Sequence, residues 1–157
     1  MGTAFRNNTS IVKFHETVHF TRLLFAAADF QGCSNLVEIT VPPATVNFVT
    51  GNSPFKATTK MKKIIFLEGA KSIGYSSLEC NGSNTVVYLP ESFTAFNSNP
   101  FYSGTYILVM ASATVKANSP LSNGKVNAVY VPDEGYDAYV AAWGSSTKLK
   151  RMSDFTG

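Results

Sequence analysis

Between Phe30 and Phe48 the chain reads FQGCSNLVEITVPPATVNF, with apolar residues at Leu36, Ile39 and Val41, a stop at Pro42, and the pattern resuming at Val46 and Phe48. Alternation through Ile39, Thr40 and Val41 predicts a short strand that buries one face, because successive side chains of an extended segment point to opposite sides. The same spacing returns along the chain. Met61, Ile64 and Phe66 repeat it 25 residues on, then Val87 and Leu89, Leu108 and Met110, and finally Val126, Val129 and Val131. Counting backwards, Ile11 and Phe14 fit the first two slots and Glu16 falls in the third. Six copies of three slots hold fifteen apolar residues, all but Glu16, Asn84 and Thr105. A chain of this apolar content would place about eight there by chance, so the period is a property of the sequence.

Repeats of 21–25 residues, each with one strand, predict a solenoid. A lone strand cannot bury its apolar face, but stacked copies close a continuous core and pair their amides in a parallel ladder about 4.8 Å apart. Pro42, Pro90 and Pro132 fall just beyond three strands, where a missing amide proton costs nothing, whereas the equivalent position 67 is Leu. The outward slot then holds His15, Thr40, Ile65, Tyr88, Val109 and Tyr130. Such a line of aromatic and apolar side chains on an outer face marks a partner-binding stripe, unless loops cover it. Tyr102 and Tyr106 in FYSGTY are candidates to extend it.

The last segment has a different period. Tyr136, Tyr139, Val140 and Trp143 recur at helical spacing, with Asp133 placed to cap the helix and Gly144 to close it. The stripe predicts a short capping helix that shields the final rung, followed by a last strand at LysLeuLysArg. One domain is therefore expected over residues 1–157: an irregular first rung to 29, repeats over 30–132, and a cap with its strand over 133–157.

F-x-G-C-x-x-L-x-x-I-x-V-P, with a valine four residues after the proline, resembles the leucine-rich repeats of the BspA-like group. The closing VNAVYVPDEGYDAYVAAWGSS is similar to the segments that end such arrays. That resemblance implies a leucine-rich-repeat solenoid of about six degenerate rungs. It also implies a bacterial cell-surface or secreted setting, with proteins or glycans as partners and no cofactor.

Charge narrows the alternatives. The net charge of +3 is mild, and the basic residues form two short groups, Lys60, Lys62 and Lys63, then Lys148, Lys150 and Arg151. Phosphate recognition needs a more concentrated stripe, so nucleic acid is not an expected partner. No apolar run reaches the 18 residues a bilayer span requires, and none near the N-terminus has signal-peptide length, so we expect no membrane insertion in this segment. The abrupt start in patterned sequence leads us to expect a piece of a larger exported protein. Cys33 and Cys80 stand two rungs apart, beyond disulfide reach, and are expected as packed thiols.

HETVH, residues 15–19, competes with the binding reading because it spells the H-E-x-x-H signature of zinc hydrolases. On a helix His15 and His19 would share one zinc ion, with Glu16 polarising a bound water. In a strand the two imidazoles stand about 13 Å apart and cannot. The repeat register favours the strand. A non-catalytic binding module, a zinc hydrolase and a structural spacer within a larger surface protein thus remain as alternatives, in that order.

Overall fold

A computed structural model describes residues 5–15, 29–42, 47–48, 53–74, 77–97 and 99–157. Among the described residues seven strands, paired in parallel throughout, form one sheet: β1 (Lys13–Phe14), β2 (Glu38–Val41), β4 (Lys63–Phe66), β6 (Thr85–Leu89), β8 (Tyr106–Met110), β9 (Val126–Val131) and β10 (Leu149–Arg151), in that order. A second wall is built from β3 (Asn47–Phe48), β5 (Ser72–Ile73) and β7 (Ala95–Phe96), also parallel. Five turns of the coil carry the chain from β1 to β9, and helix α1 (Tyr136–Trp143) makes the crossing to β10.

At the middle slot of every copy the predicted register is the observed one. Phe14 lies beside Ile39, Ile39 beside Ile64, Ile64 beside Val87, Val87 beside Leu108, and Leu108 beside Val129. Ile39, Ile64, Val87, Leu108 and Val129 are fully buried between the walls, each worth about 1.5–3 kcal/mol of transfer free energy. Aromatic rings fill the wider parts of the core. Phe5, Phe14 and Phe30 meet at centroid distances of 5.0–5.4 Å at the β1 end, and Phe93, Phe96, Phe101 and Tyr106 form a chain of contacts between β6 and β8.

Strand ends follow the chemistry of position 42 and its equivalents. Pro42, Pro90 and Pro132 stand immediately after β2, β6 and β9. Where the residue is not proline the ladder gains a rung: the Leu67 amide donates to the Val41 carbonyl at 3.0 Å and the Ala111 amide to Leu89 at 2.9 Å. The second wall ends differently. Asn118 accepts from the Phe96 amide at 2.8 Å and donates to the Phe96 carbonyl at 2.9 Å, so one side-chain amide takes the place of a fourth strand.

Three expectations are corrected. Asn84 and Thr105 do not occupy the first inward slot of their copies; the next residues do, with Thr85 and Tyr106 fully buried. The shift is absorbed by left-handed backbone at Asn84 (φ 52°) and by an irregularity at Tyr106 and Ile107, which leaves Asn127 unpaired in the ladder and exposed. Tyr106 is therefore core and does not extend an outer aromatic surface. Burial pushes its phenol far above the usual range, and its hydroxyl donates to Ser103 and accepts from the Cys80 amide.

Asp133 does not cap the helix either. A 3-10 turn, Asp133–Gly135, precedes α1, and the Asp133 carboxylate accepts instead from the Ser153 amide and hydroxyl, both at 3.2 Å. The rest of the cap is as read: Tyr139 is buried, Tyr136, Val140 and Trp143 pack on the core, and Gly144 closes the helix at φ 84°. Tyr139 donates to the Ser112 carbonyl at 2.9 Å, and burial pushes its pKa up to about 12. The Trp143 indole donates to Ala117 at 3.0 Å.

Candidate interaction surface on the outer sheet face

Because strand side chains alternate, the residues between the buried slots all project from the opposite side of the seven-stranded sheet. The ladder sets Thr40 beside Ile65, Ile65 beside Tyr88, Tyr88 beside Val109, Val109 beside Tyr130, and Tyr130 beside Lys150. His15 enters the same line beyond β1, its Nδ1 lying 2.9 Å from the Thr40 hydroxyl. The stripe is thus a contiguous row, although its members differ in access. His15 is exposed, Ile65, Tyr88 and Tyr130 are half-buried, and Thr40 and Val109 are buried.

A second outward row runs alongside: Lys13, Glu38, Lys63, Val86, Ile107 and Ala128. Together the rows give the face a gradient. At the β1 end Glu38 is held by Lys13 at 3.3 Å, Lys63 at 3.9 Å and the His15 Nε2 at 3.6 Å. Towards the middle, Lys63 sits 5.2 Å from the centroid of the Tyr88 ring, a cation–π contact that joins the ionic part to the aromatic part. From there to β9 the face is apolar.

Sequence reasoning missed what covers that apolar part. After β10 the chain turns through a 3-10 segment, Met152–Asp154, and folds back across the sheet. Phe155 seats its ring between the two outward tyrosines, 4.8 Å from Tyr130 and 6.4 Å from Tyr88. Met152 and the strand residues Phe66, Tyr88, Val109 and Met110 line a recess of about 300 Å³ on one side. Gly157 lies on the other, at a recess of about 500 Å³ whose walls include Glu38, Lys62, Lys63, Asn84 and Tyr88. Nothing in the repeat period signals this fold-back, which lies beyond the last copy.

Of the zinc motif, His15 is within the described residues, while Glu16 and His19 lie outside them. The His15 ring is engaged by Thr40 and Glu38, and Lys13–Phe14, just before it, is strand. Among the described residues no three His, Cys, Asp or Glu side chains gather as metal ligands would. Both cysteines are buried free thiols. Cys33 donates to the Phe5 carbonyl at 3.0 Å, and burial raises its pKa, the opposite of what a nucleophile needs. Cys80 is enclosed with the Thr85 and Tyr106 hydroxyls, both at 3.5 Å. Tyr102, by contrast, is 55% exposed beside Asn99, Asn123 and Lys125.

The model of the BspA type leucine-rich repeat region matches residues 3–111, in six copies. The chain belongs to that family. Leucine-rich repeats are generally non-catalytic and generally mediate protein interactions, and the BspA-like family is commonly surface-associated. The match ends at Ala111, so β9, α1, β10 and the fold-back of Phe155 lie past the matched repeats. No curated protein and no solved structure matches the chain. Among the described residues, no helix is long and apolar enough to cross a membrane.

Proposed function

We propose that this chain is a non-catalytic binding or adhesion module of a bacterial surface or secreted protein, taking a protein or glycan partner on the outer face of its seven-stranded sheet. The observation that carries the proposal is the row Ile65, Tyr88, Val109 and Tyr130, aromatic and apolar at successive ladder positions and continuous with the charged group around Glu38. A face that only had to be solvated would carry polar residues there, and aromatic anchors rimmed by charge are what partner surfaces use.

The test is a screen of the purified chain against immobilised peptide and glycan libraries, repeated with Tyr88→Ala/Tyr130→Ala and with Lys116→Ala, a control away from the row. Binding lost only in the double tyrosine variant, with its melting temperature near that of the parent, supports the proposal. Binding unaffected by that variant, or no ligand in either library, overturns it in favour of a spacer. Stoichiometric zinc in the purified protein, lost on His15→Ala, would overturn the non-catalytic part.

A further inference from the structure

The segment that folds back over the outer face places Phe155 against both of its outward tyrosines. Phe155 is a single aromatic side chain inserted between Tyr88 and Tyr130, edge-on to the first at 78°, a geometry aromatic pairs prefer, and tilted by 56° to the second. Its anchorage is slight. Among the described residues the hydrogen bonds of Met152–Gly157 run to Asp133, at the start of the cap, and within the segment's own turn, from the Phe155 amide to Met152. Phe155 itself remains half-buried, and Ser153, Asp154, Thr156 and Gly157 are exposed. Among the described residues no hydrogen bond ties the ring's segment to the outer row, where Phe155 meets the two tyrosines and Met152 the apolar recess.

The surroundings match an incoming chain better than they match a fixed part of the core. The recesses on either side of Tyr88 continue the track of the segment, one apolar at Met152 and one carrying Lys62, Lys63 and Glu38 beyond Gly157. An extended peptide following that track crosses the strands, places an aromatic residue between the tyrosines, and brings the residues after it to the two lysines. We propose that residues 152–157 act as a resident, displaceable occupant of the binding face, and that the partner is a peptide segment presenting an aromatic side chain to the Tyr88–Tyr130 site. The inference rests on the outer face being the binding surface and adds the partner's chemistry and a built-in competitor. An intramolecular occupant acts at an effective concentration in the millimolar range, so it lowers the apparent affinity of any ligand for the same site.

The experiment uses the whole chain and a blocked synthetic peptide of the same sequence as the segment, MSDFTG, titrated in trans while the ring resonances of Tyr88 and Tyr130 are followed by NMR. Phe155→Ala should bind the peptide about fivefold more tightly than the parent, the gain expected when one aromatic contact no longer competes. A peptide with alanine in place of its phenylalanine should not shift those resonances. Tyr88→Ala/Tyr130→Ala placed on Phe155→Ala should abolish binding, read there from the peptide's own phenylalanine resonances.

Equal affinity of parent and Phe155→Ala, shifts that do not depend on the peptide's phenylalanine, or no shift at all would overturn the inference. A glycan that stacks on the tyrosines of Phe155→Ala, when the peptide does not, would also overturn it, in favour of a carbohydrate partner. If the library screen finds a partner lost with the tyrosines but indifferent to Phe155→Ala, the displaceable occupant fails while the binding surface stands. If the screen is negative and the peptide titration positive, the face binds but the broader adhesion reading fails.

Discussion

Ile64 and Ile65 are adjacent, chemically identical and in the same strand, yet the first is wholly enclosed between the two walls and the second is half-open on the outer face. The difference comes from the two-residue alternation of an extended chain and nothing else. It teaches that in a coil of this kind the inner face is answerable to packing in every copy, whereas the outer face is free to be written by what binds or covers it. Ile64→Ala should cost about 2–5 kcal/mol, since the walls cannot close over the lost atoms. Ile65→Ala should cost about 1 kcal/mol or less, in the range of surface substitutions. Urea unfolding of both variants measures the comparison directly, and losses of similar size would mean that the outer row is a second core.

Tyrosine gives the next sharpest test, because it appears on both faces. Tyr106 is enclosed, and its hydroxyl satisfies the Ser103 carbonyl and the Cys80 amide. Tyr106→Phe keeps the ring but strands those groups, and should destabilise by about 1–3 kcal/mol. Tyr88→Phe, on the outer face, should leave the unfolding midpoint nearly unchanged. A matched pair of asparagines extends the series at smaller scale. Asn118→Ala removes both hydrogen bonds to Phe96 and unpairs the end of the second wall, for about 1–2 kcal/mol. Asn127→Ala, whose exposed amide bonds Asn84 at 2.7 Å, should stay within about 0.5 kcal/mol.

The same division explains what could be read from the chain. The inward slots were legible because burial imposes one requirement, apolarity, at fixed spacing, and Ile39, Ile64, Val87, Leu108 and Val129 all meet it. Where a copy reached the same inward position one residue late, as at Thr85 and Tyr106, slot counting gave Asn84 and Thr105; the buried Tyr106 in FYSGTY was the one available signal. The outer row was legible as a row, since register alone places it. Its cover was not, because Phe155 reaches Tyr130 and Tyr88 by folding back over strands far away in sequence, and no period links it to either. Asp133 failed as a cap for a related reason: its acceptor was claimed by Ser153, on the same returning segment.

The smallest expected effect lies outside both faces, where an ion pair joins successive turns. Glu91 receives the Lys116 ammonium at 2.9 Å and the Ser112 hydroxyl at 2.9 Å, and these bonds, Lys116 first, hold its pKa below the usual carboxylate value. A pKa lowered in the folded state stabilises the fold at pH above the unfolded value, and that contribution disappears as pH falls through the lowered one. Lys116→Ala should therefore move the Glu91 titration, followed by carboxyl carbon NMR, upward towards an ordinary glutamate, while Ser112→Ala moves it less. Because the pair is open to solvent, the unfolding midpoint at neutral pH should hardly change and the pKa difference should shrink in high salt. A Glu91 titration indifferent to Lys116→Ala would mean that the pairing does not persist in solution, leaving the stacked strands alone to hold these turns together.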